Sequence, residues 1–219
     1  MNATCWTKKS GHATAFELKT ASRQLLASWA ATKVESILMA ALAGAINVLW
    51  AGMATDATDV VQTDSIGGSD LLRLYVSMLN QNAKGVTELN DHYCLILHPL
   101  QYFDLMQDAA FLTSLAAASQ QKTLDIPGYV SSYSRLKIFV TPLLPVEQSE
   151  GSPSINVYTG YCLGARALAL AWQQRPSFLT KISSYNELRG VGTDFWVVGG
   201  ILRQSGIVAI KSSGTPIQI

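Results

Sequence analysis

From Phe16 to about Trp50 the chain keeps a helical hydrophobic pattern over some thirty-five residues, interrupted only by Gly44. At about 1.5 Å per residue such a helix would be roughly 50 Å long. A rod of that length in a small protein either spans its domain or reaches out to a neighbour. Leu18, Leu25 and Trp29 recur at spacings of seven and four on one stripe, and Lys19, Arg23 and Lys33 fall largely off it. That stripe is expected to be core, so Trp29→Ala should cost about 3–5 kcal/mol. Beyond Val34 the segment is apolar all round, which predicts deeper cover for its second half. Gly44 costs about 1 kcal/mol of helicity against Ala and marks a bend or break.

The remainder alternates short helical and strand-like runs. Residues 1–15 are polar and unpatterned, as in a flexible arm. Gly52 to Gly68 reads as a loop. Ser69 or Asp70 can cap a short helix whose Leu71, Tyr75, Met78 and Leu79 share a stripe. Tyr93-Cys94-Leu95-Ile96-Leu97 is strand-like, and Pro99 suits the first turn of a following helix that should run to about Ser119. Gln120–Val130 reads as a loop, Arg135–Val140 as a strand, and Val146–Ser154 as the most loop-like stretch. Ile155–Leu163 is strand-like and runs through Gly164 into a short helix ending near Trp172. Lys181–Leu188, Phe195–Leu202 and Ile207–Lys211 read as closing strands. The fold class is α+β, with one long helix, a mixed helix–sheet body and returning strands.

Only 14% of residues are charged and 48% are hydrophobic, against a usual charged share of about 25%. Apolar surface covered by neighbouring subunits would account for that deficit. The formal charge is +1, from 16 basic and 15 acidic residues without long runs, which argues against a dedicated nucleic-acid binder. The uncharged stretch Ser36–Thr55 is long enough for a bilayer, but it is Ala- and Gly-rich and has no flanking basic cluster. A buried helix is the better reading, and no membrane partner is expected. Cys5, Cys94 and Cys162 are an odd set without metal spacing, as expected of free thiols.

Candidate chemistry is sparse. His92, Cys94 and His98 share one strand parity, which admits a partial zinc site or a Cys–His nucleophile pair. Residues six apart on a strand lie about 20 Å apart, however, so the three cannot meet on one ion. Gly190-Val191-Gly192-Thr193-Asp194-Phe195 begins like a dinucleotide fingerprint but lacks its third glycine and runs on into a strand pattern. Asp56, Asp59 and Asp64 have no calcium-loop spacing. No catalytic residue, metal ligand or cofactor site is assigned.

The order of the pieces is informative. Cys94-Leu95-Ile96-Leu97-His98-Pro99-Leu100-Gln101-Tyr102-Phe103-Asp104-Leu105 resembles the strand–His-Pro–helix element in the axial domain of tailed-phage major capsid proteins, those with the Hong Kong 97-type shell fold. Val157-Tyr158 through Ala171, with its Gly164-Ala165-Arg166-Ala167 turn into helix, is similar to that group's strand-to-helix element. Tyr185–Gly200 and Gly206–Lys211 resemble its closing strands, and the helix from Phe16 resembles its spine helix. In that group an N-terminal arm and an extended loop precede the spine helix; about fifteen residues do so in this sequence, so the resemblance implies a chain that would lack most of both, through a misplaced start, a truncated or split gene, or a lineage that interlocks differently. The resemblance implies a flexible arm over 1–15, a spine helix and part of a peripheral domain over 16–65, an axial-domain body over 66–180, and returning peripheral strands with the tail over 181–219. Loops near Ser119–Val130 and Val146–Ser154 would then lie where neighbouring subunits meet.

What the resemblance implies about function is structural. The chain would be a major capsid subunit that assembles with copies of itself into pentamers, hexamers and an icosahedral shell around phage DNA, in the host bacterial cytoplasm. Portal, scaffold and decoration proteins would be further partners, DNA contact would be non-specific, and no enzymatic activity or cofactor is implied. Two rivals remain open on the residues alone: a small α+β enzyme with a site at Cys94 and His98, and a non-capsid virion interaction protein.

Overall fold

The structure, a computed structural model, describes residues 2–7, 12–118, 126, 128–152, 154–183 and 188–216, with side chains over 20–115, 126, 128–152, 154–181 and 190–216. In chain order the elements are β1 (Asn2–Thr7), α1 (His12–Leu42), β2 (Val48–Trp50), α2 (Gly68–Asn80), β3 (Tyr93–Leu97), α3 (Pro99–Leu105), α4 (Ala109–Ala118), β4 (Tyr129–Tyr133), β5 (Leu136–Val140), β6 (Val146–Gly151), β7 (Ile155–Leu163), β8 (Leu168–Ser183), β9 (Leu188–Ile201) and β10 (Ile207–Ser212). Contacts divide the chain into two units, residues 1–41 with 170–200, and residues 42–169 with 201–219. Residues 42–65 thus cluster with the second unit and residues 170–200 with the first.

In the first unit α1 packs on a three-stranded sheet of order β1-β9-β8. Residues 2–7 do not run as a free arm. They form β1, antiparallel to β9 with Asn2 opposite Thr193 and Thr7 opposite Leu188, because the edge of β9 offers a complete backbone ladder. The long helix is present, and its 31 residues correspond to about 46 Å of rise. It closes at Leu42, where Ala45 N–H bonds the Leu42 carbonyl at 3.0 Å, so Gly44 marks its end. The expected stripe is displaced by about one residue. Ser22, Leu26 and Ala30 are buried, Trp29 is half-buried at the margin, and Leu25 is 64% exposed. With alanine on every side, periodicity alone leaves the covered face open by a residue. Beyond Val34 the helix is half-buried nearly all round, as expected.

Residues 36–55 are not one helix, since α1 ends at Leu42 and β2 begins at Val48. The portion Thr20–Leu42 is long and apolar enough to cross a membrane by length and composition, with mean hydropathy 1.3. Here that same portion carries Trp29, whose ring meets Phe195 of β9 edge-on at 6.1 Å.

The second unit is built on a seven-stranded mixed sheet of order β2-β10-β7-β3-β5-β4, with β6 paired to β7 off that path. β3 runs parallel to β5 and antiparallel to β7, and β10 runs antiparallel to β7 and parallel to β2. β3 alternates, Tyr93, Leu95 and Leu97 being buried and Cys94 and Ile96 half-buried, whereas central β7 is buried continuously from Val157 to Cys162. Leu71, Leu74 and Met78 of α2, Leu105 of α3 and Phe111 of α4 close over Leu95, Leu97, Ile138, Val208 and Ile210. On α2 the inward stripe is Leu71, Leu74 and Met78, and Leu79 faces out. At Gly160 the backbones come close: a Cβ there would lie 2.8 Å from Leu97 Cδ2 and 2.9 Å from the Ile96 carbonyl oxygen.

Three expectations fail for physical reasons. The helix after Pro99 stops at Leu105 and a separate α4 starts at Ala109, because the Asp108 carboxylate accepts from Ala110 N–H at 3.0 Å and caps a new helix. Val146–Gly151 is a strand, β6, since β7 supplies its ladder (Val146 opposite Tyr158, Glu147 opposite Val157) and Lys211 of β10 pairs with Glu147. The predicted helix after Gly164 is instead a turn and the start of β8. Arg166 sits at φ 57, outside the helical region. Leu168, Leu170 and Trp172 then alternate with exposed Ala169 and Ala171. Leu and Ala favour helix by propensity, but their order here has period two, and tertiary cover decides.

Candidate assembly surfaces

The strand–His-Pro–helix joint is tied to the sheet by several side-chain hydrogen bonds. His98 caps α3: its Nδ1 accepts from Leu100 N–H at 3.2 Å, and its own N–H donates to Gln101 Oε1 at 3.2 Å. Pro99 follows at the first helical position. Gln101 is fully buried, and its Nε2 donates to the Tyr158 carbonyl on β7 at 2.9 Å and to Ser212 Oγ on β10 at 2.8 Å. The His98 ring packs on Tyr158 with centroids 4.7 Å apart, and burial lowers its pKa from the ordinary value near 6.5. A neutral ring is what the cap needs, because Nδ1 must keep its lone pair.

This geometry leaves no nucleophile at Cys94. Burial pushes its thiol up to about 12, and that of Cys162, diagonally across β3 and β7, higher still. Both are free cysteines. A thiol held in its protonated form is a poor nucleophile. His92 Nδ1 lies 2.8 Å from the Asn90 carbonyl within its own turn. Among the described residues no group of three His, Cys, Asp or Glu side chains could hold a metal ion.

Each loop aspartate closes a turn of its own. Asp56 accepts from Thr58 Oγ1 at 2.6 Å and from the N–H groups of Thr58 and Asp59, which together hold its carboxyl below the usual range. Asp59 accepts from Thr55 Oγ1, and Asp64 from Val61 N–H. Gly190–Phe195 lies within β9. Sequence reasoning missed a second carboxylate group. Asp70, Asp104 and Asp108 line a hollow of about 450 Å³, and each accepts a backbone N–H, from Gly67, Thr215 and Gly68 respectively. They act as joints between loop, helix and tail.

The described surface is otherwise notable for large apolar side chains left in water. On α2 Leu72, Val76 and Leu79 are exposed, and Leu72 and Val76 line a hollow of about 590 Å³ with Leu49 of β2. In the first unit a nearly wholly apolar groove of about 510 Å³ runs between Ala30, Val34 and Leu38 of α1 and Trp172 and Phe178 of β8. Trp196 and Val198 on β9 are 60% and 69% exposed. Such surfaces suit contacts with other subunits better than reaction with a small molecule. Of the two loops expected at subunit contacts, residues 119–125 lie outside the described residues, and Val146–Gly151 is β6.

The profile of one family, phage capsid protein, matches residues 19–210. The chain belongs to the phage capsid protein family. Sequence comparison with individual curated proteins finds no match, but solved structures are similar to this capsid protein along its whole length. The capsid of Ralstonia phage GP4 matches with a TM-score of 0.81 at 16% identity, covering 100% of this chain and 74% of that one. The capsid asymmetric unit of cyanophage Pam1 matches at 0.76 and 15% identity, over 99% and 74%. A chain of the holo-SrpI encapsulin complex of Synechococcus elongatus PCC 7942 matches at 0.63 and 10% identity, over 100% and 75%. At such identities the likeness establishes the Hong Kong 97-type fold alone, and membership of the phage capsid protein family rests on the match over residues 19–210. This capsid protein is a structural subunit.

Proposed function

We propose that the chain is the major shell-forming subunit of a tailed-phage head, and that copies of it assemble as pentamers and hexamers into an icosahedral lattice around phage DNA. The family match over residues 19–210 carries this reading. The units of residues 1–41 with 170–200 and 42–169 with 201–219 serve as its peripheral and axial domains. Assembly takes place in the host bacterial cytoplasm. Portal, scaffold and decoration proteins complete the particle, and DNA is touched without sequence preference. The subunit has no enzymatic role, in keeping with the raised Cys94 thiol. Mass photometry and electron microscopy of the purified chain test this directly. Pentamers, hexamers or shells are the expected species, and a chain that stays monomeric at the highest attainable concentration would refute it.

A further inference from the structure

Among the described residues, the three-stranded sheet of the first unit is covered on one face, by α1. Phe195 of β9 meets Trp29 at 6.1 Å and Trp172 at 6.3 Å, and Trp172, Pro176 and Phe178 of β8 line the groove against α1. Strand side chains alternate. Trp196 and Val198 on β9, and Arg175, Leu179 and Lys181 on β8, therefore stand on the opposite face. Trp196, Val198 and Leu179 are 60%, 69% and 54% exposed. Arg175 and Lys181 are exposed too, without an ion-pair partner among the described residues. Among the described residues Asp194 is the one acidic residue on the same side. This is an apolar strip edged with positive charge.

The complement sits elsewhere on the same chain. Met53 is 95% exposed, more than any other large hydrophobic side chain described, and it is followed by exposed Asp56, Asp59 and Val61. The charge balance of the two units agrees: the first has eight Lys and Arg against four Asp and Glu, the second eight against eleven. We propose that the open face of the β1-β9-β8 sheet seats the Gly52–Val61 loop of a second copy of this chain. Met53 packs on the Trp196 ring, where a thioether is well suited, and the loop carboxylates meet Arg175 or Lys181. These two cations are about 20 Å apart along an extended strand, so one loop engages one of them. Nucleic acid fits less well, because two cations supply few phosphate contacts and the aliphatic side chains supply none. The contact joins unlike surfaces, so it propagates from copy to copy, closing rings or extending a lattice. It rests on the shell-forming function proposed above.

The test is a charge-swap cycle in the full chain, read by sedimentation velocity over a concentration series. Arg175→Glu with Lys181→Glu, and separately Asp56→Lys with Asp59→Lys, should each weaken association by roughly 30-fold or more, the scale of a contact hot spot. The four-fold variant should recover most of that loss. Trp196→Ser should weaken association similarly, and thermal melts of the unassembled basic-pair and Trp196→Ser variants should match the wild type; Asp56→Asn with Asp59→Asn, which keeps acceptors for the turn bonds, should weaken association without the turn loss that the Lys variants bring. Wild-type association by either reversed pair, or no recovery in the four-fold variant with its melt unchanged, would overturn the proposal. So would a basic-pair variant that assembles normally but retains less nucleic acid. In those cases the shell-forming function still stands; a wild-type chain that never associates removes both.

Discussion

Replacing Gln101 by Met tests whether the His-Pro joint holds the body together through hydrogen bonds or through packing. The two side chains are similar in length, and the site is fully buried. The substitution removes three bonds: the one accepted from His98 N–H at 3.2 Å, and those donated to the Tyr158 carbonyl at 2.9 Å and Ser212 Oγ at 2.8 Å. Each such bond contributes about 0.5–1.5 kcal/mol net, and a buried group left unpaired costs more than the mean. Apolar gain from the methionine offsets part of the loss, so a cost of about 2–4 kcal/mol is expected. For a chain of this size that lowers Tm by roughly 5–15 °C. The measurement is urea and thermal denaturation of the unassembled subunit, with Gln101→Ala alongside. A cost under about 1 kcal/mol for Met with a much larger cost for Ala would show that Gln101 acts by filling space, and would refute the bonded joint.

Trp29→Ala should cost about 1.5–3 kcal/mol, below the range for a fully buried aromatic, because its ring is half-exposed and keeps one edge-on partner in Phe195; chemical denaturation measures this. His98 gives a pH dependence of definite sign. Its folded pKa is depressed, so below about pH 6.5 the unfolded chain binds more protons than the folded one. Stability is then complete above that value and falls as pH drops through it, and His98→Asn, which keeps a capping acceptor, should flatten the slope of Tm between pH 7 and 5. Cys162, fully buried, should label with iodoacetamide only as fast as the body opens, and half-buried Cys94 slowly, since burial holds both thiols protonated; a rapid burst from Cys94 in a Cys5→Ser background would contradict the structure.

Much of the fold was legible because it rests on strong local signals. Pro99 after a five-residue apolar run located a strand end and a helix start, and both are where expected. The long helix was legible from sheer length. What misled was alanine. In α1 it hid which stripe is covered, and in Leu168–Trp172 it lent helical propensity to a segment whose order has period two. β6 was illegible for a different reason: Val146, Glu147, Gln148 and Ser149 have little strand character, and the ladder comes from β7, far from anything a local window contains. The exposed strip on β9 was hidden likewise. Phe195, Trp196, Val197 and Val198 are apolar on both faces, so no alternation shows which side stays open.

The surface energetics fit a subunit that joins many neighbours weakly. Burying what is exposed of Trp196, Val198 and Leu179 removes roughly half to two-thirds of three side chains from water. At about 1.5–3 kcal/mol for full burial of each, one such contact yields about 3–6 kcal/mol. Association itself costs about 4–15 kcal/mol in lost rigid-body freedom. A single contact of this kind therefore barely repays its own formation, which keeps dilute subunits apart despite a low share of charged residues. Once several contacts close around one subunit, the later ones form without a second rigid-body penalty, and their energies accumulate. If the proposed contact forms, the same exposed side chains that look like a liability in a monomer should set a concentration threshold, and sedimentation over a dilution series should show dispersed chains below it and assembled species above it.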